Sequence, residues 1–181
     1  MRVRLLQSAT LLVGLFLLTA ACAKAPADPA QKAQSNANAN DSPAIKSVDV
    51  VKVSPQEATI ARGQSGDVVV PIKIKDGYHV NANPPTFPYL KPTELELPQS
   101  KEISVEFISY PDPLKRKFSF TEGKELAVYE GDAIIKAHIK ADKSAKPGKR
   151  NLSAKLRVQA CDDKVCYAPG VLDVALPLDI K

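Results

Sequence analysis

Apolar and polar residues alternate with a period of two along four long segments of this chain. The segments are residues 68–74, 133–139, 152–158 and 172–178. Because successive side chains of a β-strand point to opposite faces, this alternation predicts strands with one buried face. Shorter segments of similar character are residues 48–53, 58–61, 78–81, 94–97 and 103–109. None of the chain's segments shows a convincing helical period over a useful length, so the pattern predicts an all-β protein.

Turn-forming residues separate the predicted strands. Glycine- or proline-containing turns occur at residues 62–66, 76–77, 111–113, 122–123 and 146–148. Residues 45–181 are enough for one domain with a real core. Eight or nine short strands without a helix predict a single antiparallel β-sandwich of immunoglobulin-like type. The chain has no tryptophan and no widely spaced cysteine pair, so we do not expect an antibody domain.

The first 21 residues have the pattern of a secretory signal peptide. Arg2 and Arg4 precede an apolar run at residues 11–18 that is too short to span a bilayer, and small residues lead up to Cys22. Residues 18–22 resemble a bacterial lipobox, which implies that Cys22 is the lipidated N-terminus of the mature chain. The alternative is ordinary secretion with a free Cys22, but a lone thiol is a liability in an oxidising compartment.

Residues 22–44 have almost no large apolar side chain and predict a flexible, lipid-anchored tether. A chain of that length has a root-mean-square reach of roughly 25 Å, enough to lift a domain clear of lipid headgroups. We therefore expect the domain at residues 45–181 to be held on the periplasmic side of a bacterial membrane. Ala23 lacks the aspartate that marks inner-membrane retention in some bacteria, which slightly favours the outer membrane.

Charge and motif content exclude several functions. The chain has 25 lysines and arginines against 20 aspartates and glutamates, and these charges are scattered. No basic stripe with interleaved aromatic residues occurs, so we expect no nucleic-acid partner. No serine–histidine–acid arrangement, glycine-rich phosphate loop or paired-carboxylate motif is apparent, and we expect no cofactor.

Cys161 and Cys166 are the candidates for thiol chemistry. Fully extended, the chain between them would place their Cα atoms roughly 17 Å apart, whereas a disulfide needs about 7 Å or less. The turn-tolerant residues 162–164 predict that the chain folds back there. So small a ring stabilises the fold by only about 2 kcal/mol, which makes a weak staple. From spacing alone, a structural hairpin disulfide and a redox pair stay equally open.

The strand before the cysteines predicts their exposure. Even-numbered residues of the segment 152–160 point inward, so Cys161 is expected on the solvent side unless a bulge intervenes. A partner thiol could reach it there. Asp162 and Asp163 disfavour a thiolate while Lys164 opposes them, so the pair suits electron shuttling better than strong oxidation.

Metal binding is the chemical alternative for the two cysteines. Closed zinc sites need four ligands, and the two histidines of the chain are His79 and His138. His138 alternates with lysines on an outward strand face and is interpreted as a solvated residue. His79 follows a turn and is interpreted as packed or hydrogen-bonded. We therefore expect no metal site.

Three segments resemble the periplasmic N-terminal domain of the membrane disulfide reductase DsbD. They are residues 77–81, 128–132 and above all 158–169, and the resemblance extends over roughly residues 48–180. It implies that Cys161 and Cys166 cycle between dithiol and disulfide, with Cys161 expected to form the mixed disulfides. It also implies electron transfer from a membrane reductase's thioredoxin-like domain to periplasmic disulfide isomerases or cytochrome c maturation thioredoxins.

The same family shields its cysteines with an aromatic cap loop. Residues 118–124 resemble that loop, which implies capping by Phe118 and Phe120; the alternative is ordinary core packing on one strand face. The sequence carries no membrane electron conduit. We therefore expect a monomeric, stand-alone lipoprotein that takes electrons from separate proteins by transient mixed disulfides.

The second hypothesis is a non-catalytic immunoglobulin-like binding module with a structural hairpin disulfide. Its candidate surface is the loop at residues 83–92, where prolines stiffen the backbone and aromatic side chains offer contact area. The alternative for that loop is a stiff crossover between sheets.

Overall fold

The structure is a computed structural model that describes residues 45–181. The predicted signal peptide, the tether and Cys22 lie outside these residues. The described part contains two short 3-10 turns, Ser47–Val50 and Ser119–Thr121. Its strands are β1 (Val51–Val53), β2 (Ala58–Ile60), β3 (Ser65–Ile74), β4 (His79–Asn81), β5 (Glu94–Glu96), β6 (Ile103–Ser109), β7 (Leu114–Lys117), β8 (Glu125–Tyr129), β9 (Asp132–Ala141), β10 (Gly148–Val158), β11 (Ala160–Cys161) and β12 (Gly170–Ile180).

The strands form three four-stranded sheets. The first has the order β1-β3-β9-β6, the second β2-β12-β10-β5 and the third β11-β4-β8-β7. Neighbouring strands are antiparallel except β2 and β12, which are parallel. Within residues 45–181, no helix is long and apolar enough to cross a membrane.

The first and second sheets bury their inner faces in one shared core. Alternate residues of β3 and β9 meet alternate residues of β10 and β12, and the largest of these side chains are Ile72, Ile74, Ile135, Ile139, Leu156, Leu176, Leu178 and Ile180. Face-to-face packing of two sheets is the architecture of a β-sandwich. The predicted all-β, antiparallel sandwich of immunoglobulin-like type is confirmed.

The third sheet separates this main core from a smaller apolar cluster. Val80, Tyr129 and Ala160 face the main core, whereas Leu126 and Val128 point the other way and pack with Leu90. Two loops cover this outer face of the third sheet. We call residues 83–92 the proline loop and residues 118–124 the cap loop.

Some strand predictions were incomplete. The predicted strand at residues 48–53 is a strand only over Val51–Val53, because Ser47–Val50 form a 3-10 turn. Ser47 fixes this turn, since its Oγ accepts a hydrogen bond from Ala160 N at 3.0 Å and donates one to Ala168 O at 2.6 Å. Strands β7, β8 and β11 were not predicted, so the expectation of eight or nine strands was too low.

Candidate functional site

Cys161 and Cys166 form a disulfide at the end of β11. Their Cα atoms lie 3.9 Å apart, which confirms the predicted reversal of the chain. Asp162 N donates to Val165 O at 2.9 Å across the turn. The Asp162 side chain closes it further, because its Oδ1 accepts from the backbone amides of Lys164 and Val165, both at 2.8 Å. We call residues 161–167 the cysteine hairpin.

A short hydrogen bond joins the two ends of the cysteine hairpin. The Tyr167 hydroxyl donates to Asp162 Oδ2 at 2.6 Å. This bond, together with the two backbone amides, lowers the pKa of the Asp162 carboxyl. The same bond is the main reason that the pKa of Tyr167 rises to about 12. The carboxylate beside the disulfide is therefore held ionised by three donors.

The two cysteines differ in exposure, and the predicted exposure of Cys161 was wrong. Cys161 is 0% exposed, whereas Cys166 is partly exposed. The alternation of β10 does not continue to Cys161, because the strand ends at Val158 and the chain crosses into the third sheet. There Ala160 joins the main core and Cys161 lies on the covered outer face. Of the two cysteines, Cys166 is therefore the accessible one.

His79 lies directly opposite Cys161 on the neighbouring strand β4. Residues paired in this way in an antiparallel sheet share one face, with Cβ atoms about 5 Å apart. The His79 side chain is buried, with the residue 2% exposed, and its Nε2 finds no hydrogen-bond partner among residues 45–181. Burial lowers the pKa of His79, although the carboxylates of Glu130, Asp163 and Asp162 oppose that effect.

The cap loop lies against this histidine. The Phe118 ring stacks on His79 at a centroid distance of 3.9 Å, and Phe120 stacks on Phe118 at 5.5 Å. Ser119 Oγ donates to Asp163 O at 2.7 Å and so ties the cap loop to the cysteine hairpin. Phe118 also packs against the small apolar cluster, whereas Phe120 is 36% exposed. The structure thus brings Phe118 and Phe120 to the same face as Cys161.

The proline loop is tied to the cysteine hairpin by Gln159. The Gln159 Oε1 accepts hydrogen bonds from Asn81 Nδ2 at 3.1 Å and from Lys91 N at 2.9 Å. Its Nε2 donates to Tyr167 O at 3.3 Å. Gln159 therefore links β4, the proline loop and the hairpin in one network. Sequence reasoning missed this role, because a glutamine at an outward strand position indicates a solvated side chain.

A groove of about 520 Å³ lies between the proline loop and the cap loop and reaches Cys166. Its apolar lining includes the stacked pair Phe87 and Tyr89, of which Tyr89 is 72% exposed. The remaining lining residues are Leu90, Phe120, Thr121, Glu122, Lys124, Leu126, Gln159, Lys164 and Val165. An exposed apolar groove beside an accessible sulfur can hold a partner protein while sulfur chemistry takes place.

The alternative function of the two cysteines, metal binding, requires a cluster of ligands. No group of three histidine, cysteine, aspartate or glutamate residues gathers within residues 45–181. His138 lies on the outer face of the first sheet, as its strand position indicated. Its Nδ1 lies 2.6 Å from Asp67 Oδ1 and its Nε2 lies 3.4 Å from Glu106 Oε2.

Comparison with protein families gives one match. A family model described as "Thiol:disulfide interchange protein DsbD, N-terminal" matches residues 47–177, which is well over half of the chain. No curated protein sequence matches this chain significantly.

Several solved structures are similar to the chain at low sequence identity. The reduced DsbD N-terminal domain of Neisseria meningitidis is 14% identical, with 75% of this chain and 91% of that chain covered and a TM-score of 0.45. The structure of the complex between the DsbD and PilB N-terminal domains of the same organism is 17% identical, with 76% of this chain and 88% of that chain covered and a TM-score of 0.46. The N-terminal periplasmic domain of ScsB from Proteus mirabilis is 16% identical, with 71% of this chain and 45% of that chain covered and a TM-score of 0.46.

Proposed function

Because the chain belongs to the family of N-terminal domains of the thiol:disulfide interchange protein DsbD, we propose that it exchanges electrons through Cys161 and Cys166. The pair alternates between disulfide and dithiol by thiol–disulfide exchange with partner proteins. The observation that carries this proposal is the position of Cys166, a partly exposed residue that lines the groove between the two loops.

Exchange begins at the sulfur that a partner can reach. In the direction that reduces this chain, a partner thiolate attacks Cys166 Sγ and forms a mixed disulfide, while Cys161 leaves with the electron pair of the broken bond. The partner's second thiolate then attacks the partner's own sulfur in this mixed disulfide, so that Cys166 leaves as a thiolate and the partner becomes oxidised. In the other direction the Cys166 thiolate attacks a partner disulfide, and Cys161 closes the ring. Because Cys161 is buried, we propose Cys166 as the residue that forms the mixed disulfides, in place of Cys161, which the family resemblance led us to expect.

The cap loop limits access to this chemistry. Phe120 is partly exposed in the lining of the groove that reaches Cys166, and Ser119 holds the loop on the cysteine hairpin. A partner that docks in the groove displaces or contacts Phe120 before it reaches the sulfur. A small thiol must also pass Phe120, but it makes few contacts with the groove that could offset the cost of moving the ring. Exchange with proteins is therefore favoured over exchange with small thiols.

The proposed partners are thioredoxin-like periplasmic proteins and a membrane disulfide reductase. The reductase supplies electrons, and the acceptors are disulfide isomerases or thioredoxins of cytochrome c maturation. We take the identities of these partners from the resemblance of this chain to the family. The exposed aromatic side chains Tyr89 and Phe120 suit the docking of a protein surface, because aromatic residues contribute much of the energy of protein interfaces. The domain is proposed to act as a monomer.

Single-cysteine variants test this proposal. In a Cys22→Ala background, Cys161→Ser leaves the accessible Cys166 thiol without its internal partner. We expect this variant to accumulate a stable mixed disulfide with a thioredoxin-like protein, detected by non-reducing electrophoresis and mass spectrometry of the periplasm. Cys166→Ser is the matched control, and we expect it to trap at least tenfold less because Cys161 is buried.

Two results would contradict the proposal. Equal trapping by both variants would show that burial of Cys161 does not direct the exchange. Capture of no partner by either variant would favour the binding-module hypothesis with a structural disulfide.

We also propose that Cys22 carries the lipid anchor and that residues 22–44 tether the domain to the membrane. Two or three acyl chains are enough for stable anchoring, whereas one is marginal. We expect Cys22→Ala to move the chain from the membrane fraction to the soluble periplasm and to abolish labelling with a radioactive fatty acid. Recovery of the wild-type chain in the soluble fraction would contradict the anchor.

A further inference from the structure

His79 is a buried titratable residue that has no role in the exchange steps proposed for Cys161 and Cys166. It faces Cys161 across β4 and β11 and stacks on Phe118. Its Nε2 is buried without a hydrogen-bond partner among residues 45–181. Buried polar atoms are nearly always paired, so an unpaired one calls for an explanation.

The buried cysteine creates a need for a proton acceptor. Cys161 must become a thiolate each time it closes the disulfide, and it leaves as a thiolate each time the disulfide is opened. A thiolate buried at 0% exposure lacks the stabilisation that water gives it. A nearby group that takes and returns the proton removes that cost.

We propose that His79 is the proton acceptor and donor for Cys161 during exchange. This inference rests on the proposed function, and it names the base that the second step of the exchange uses. We assign this role to His79 because the strand register places its side chain beside that of Cys161, on the same covered face.

The closing step moves one proton and exchanges one disulfide bond for another. Cys166 is first joined to a partner sulfur in a mixed disulfide. The Cys161 thiol gives its proton to the neutral imidazole of His79, and the resulting thiolate attacks Cys166 Sγ. The bond between Cys166 and the partner breaks, and the partner's sulfur leaves with the electron pair. In the opening step His79 takes a proton from solvent and passes it to Cys161 as this cysteine leaves.

The neighbouring acids are poorer acceptors for this proton. Asp162 already accepts three hydrogen bonds, and they lower the pKa of its carboxyl. Glu130 is paired with Arg116, whose Nε lies 3.2 Å from its Oε1. Asp163 is exposed to solvent. A carboxylate is also a much weaker base toward a thiol than an imidazole is.

The surroundings of His79 set its protonation state. Its depression in the surface also contains Asp76, Tyr78, Glu130 and Asp163, and Asp162 lies in the adjacent hairpin. These acids favour the imidazolium, whereas burial disfavours it more strongly, so the pKa of His79 is lowered overall. At neutral pH the imidazole is therefore neutral and ready to accept a proton. As the pH falls through its pKa, the closing step should slow.

Rapid-quench kinetics of the reduced chain with glutathione disulfide test this inference. Mass spectrometry separates the first step, attack by Cys166, from the closing step by Cys161. In His79→Gln we expect closing at pH 7 to be at least about tenfold slower, within the usual range for loss of a general base. The inflection from His79 should also vanish from the pH profile of closing, while the first step changes less than about twofold. His138→Gln is the matched control and should behave as the wild type.

The outcomes separate the inference from the function on which it rests. If His79→Gln closes at the wild-type rate, or slows equally at every pH with the inflection retained, His79 is not the base. If the wild-type chain forms no mixed disulfide and no closed ring, the proposed function itself fails.

A second measurement uses the unmodified chain, in case His79→Gln does not fold. Nuclear magnetic resonance titration follows the His79 imidazole in the disulfide and dithiol forms. We expect its pKa to differ between the two forms by about one unit, because coupled sites titrate as a pair. Identical pKa values in both forms would overturn the inference.

Discussion

The bond between Tyr167 and Asp162 links charge to structure at the scale of single residues. Its 2.6 Å length joins the last residue of the cysteine hairpin to the first residue after Cys161. It raises the pKa of Tyr167 to about 12. A raised native pKa means that the stabilisation is complete below the ordinary tyrosine pKa of about 10 and is lost as the pH rises through about 12.

Asp162→Asn tests this electrostatic link. The amide oxygen can still accept the hairpin's backbone hydrogen bonds, but the negative charge is gone. We therefore expect the pKa of Tyr167 to fall from about 12 toward its ordinary value, followed by the ultraviolet absorbance of tyrosinate. Asp163→Asn, which removes an exposed charge next door, should leave that titration near the wild type. An unchanged Tyr167 titration in Asp162→Asn would contradict the account.

Sequence reasoning at this scale identified the cysteines but not their environment. The reversal of the chain between Cys161 and Cys166 was predictable, because an extended segment of that length would hold their Cα atoms too far apart for a disulfide. The burial of Cys161 depends on the break of the strand at Gln159 and on the transfer of the chain to another sheet. No local pattern encodes that transfer, and the same is true of the contact between His79 and the cap loop.

At the scale of elements, the cap loop lines the groove that reaches Cys166, and we propose that it controls access to this residue. It has an anchor in Ser119, a stacked pair in Phe118 and Phe120, and it lies over the outer face of the third sheet. Sequence reasoning placed this loop by family resemblance, since an aromatic pair alone also fits core packing. The structure brings both aromatic residues beside the cysteine hairpin.

Phe120→Ala should open the site. Removing the partly exposed ring enlarges the approach to Cys166, so we expect reduction of the disulfide by dithiothreitol to accelerate severalfold, by about threefold to tenfold, because access limits exchange rates. The measurement is the rate of thiol appearance under pseudo-first-order conditions. Phe107→Ala removes an exposed phenylalanine from the first sheet and should leave the rate unchanged. Equal rates in wild type and Phe120→Ala would mean that the cap loop does not shield the sulfur.

The strands that were not predicted have physical reasons for escaping notice. All four residues of β7 are exposed, so that strand shows no alternation of apolar and polar positions. Strand β11 has two residues, too few to establish any period. Both lie in the third sheet, where β7 pairs with β8 and β11 pairs with β4. The long strands β3, β9, β10 and β12 were predictable because each contributes a regular inner face to the main core.

At the scale of the whole molecule, the fold separates stability from chemistry. The main core between the first and second sheets contains neither cysteine, and the disulfide lies on the outer face of the third sheet. The ring of the hairpin contributes only about 2 kcal/mol in the chain-entropy estimate. We therefore expect the sandwich to stay folded when the disulfide is reduced, as the proposed shuttle requires.

The reduction potential of the Cys161–Cys166 couple tests the central claim most directly. The chain is equilibrated with dithiothreitol and glutathione buffers, and alkylation with mass spectrometry counts the free thiols in the peptides that contain the two residues. We predict a potential above about −300 mV, with the β-sheet circular dichroism unchanged in the dithiol form. A pair that stays oxidised below about −300 mV, or a domain that unfolds on reduction, would identify the disulfide as structural and contradict the account.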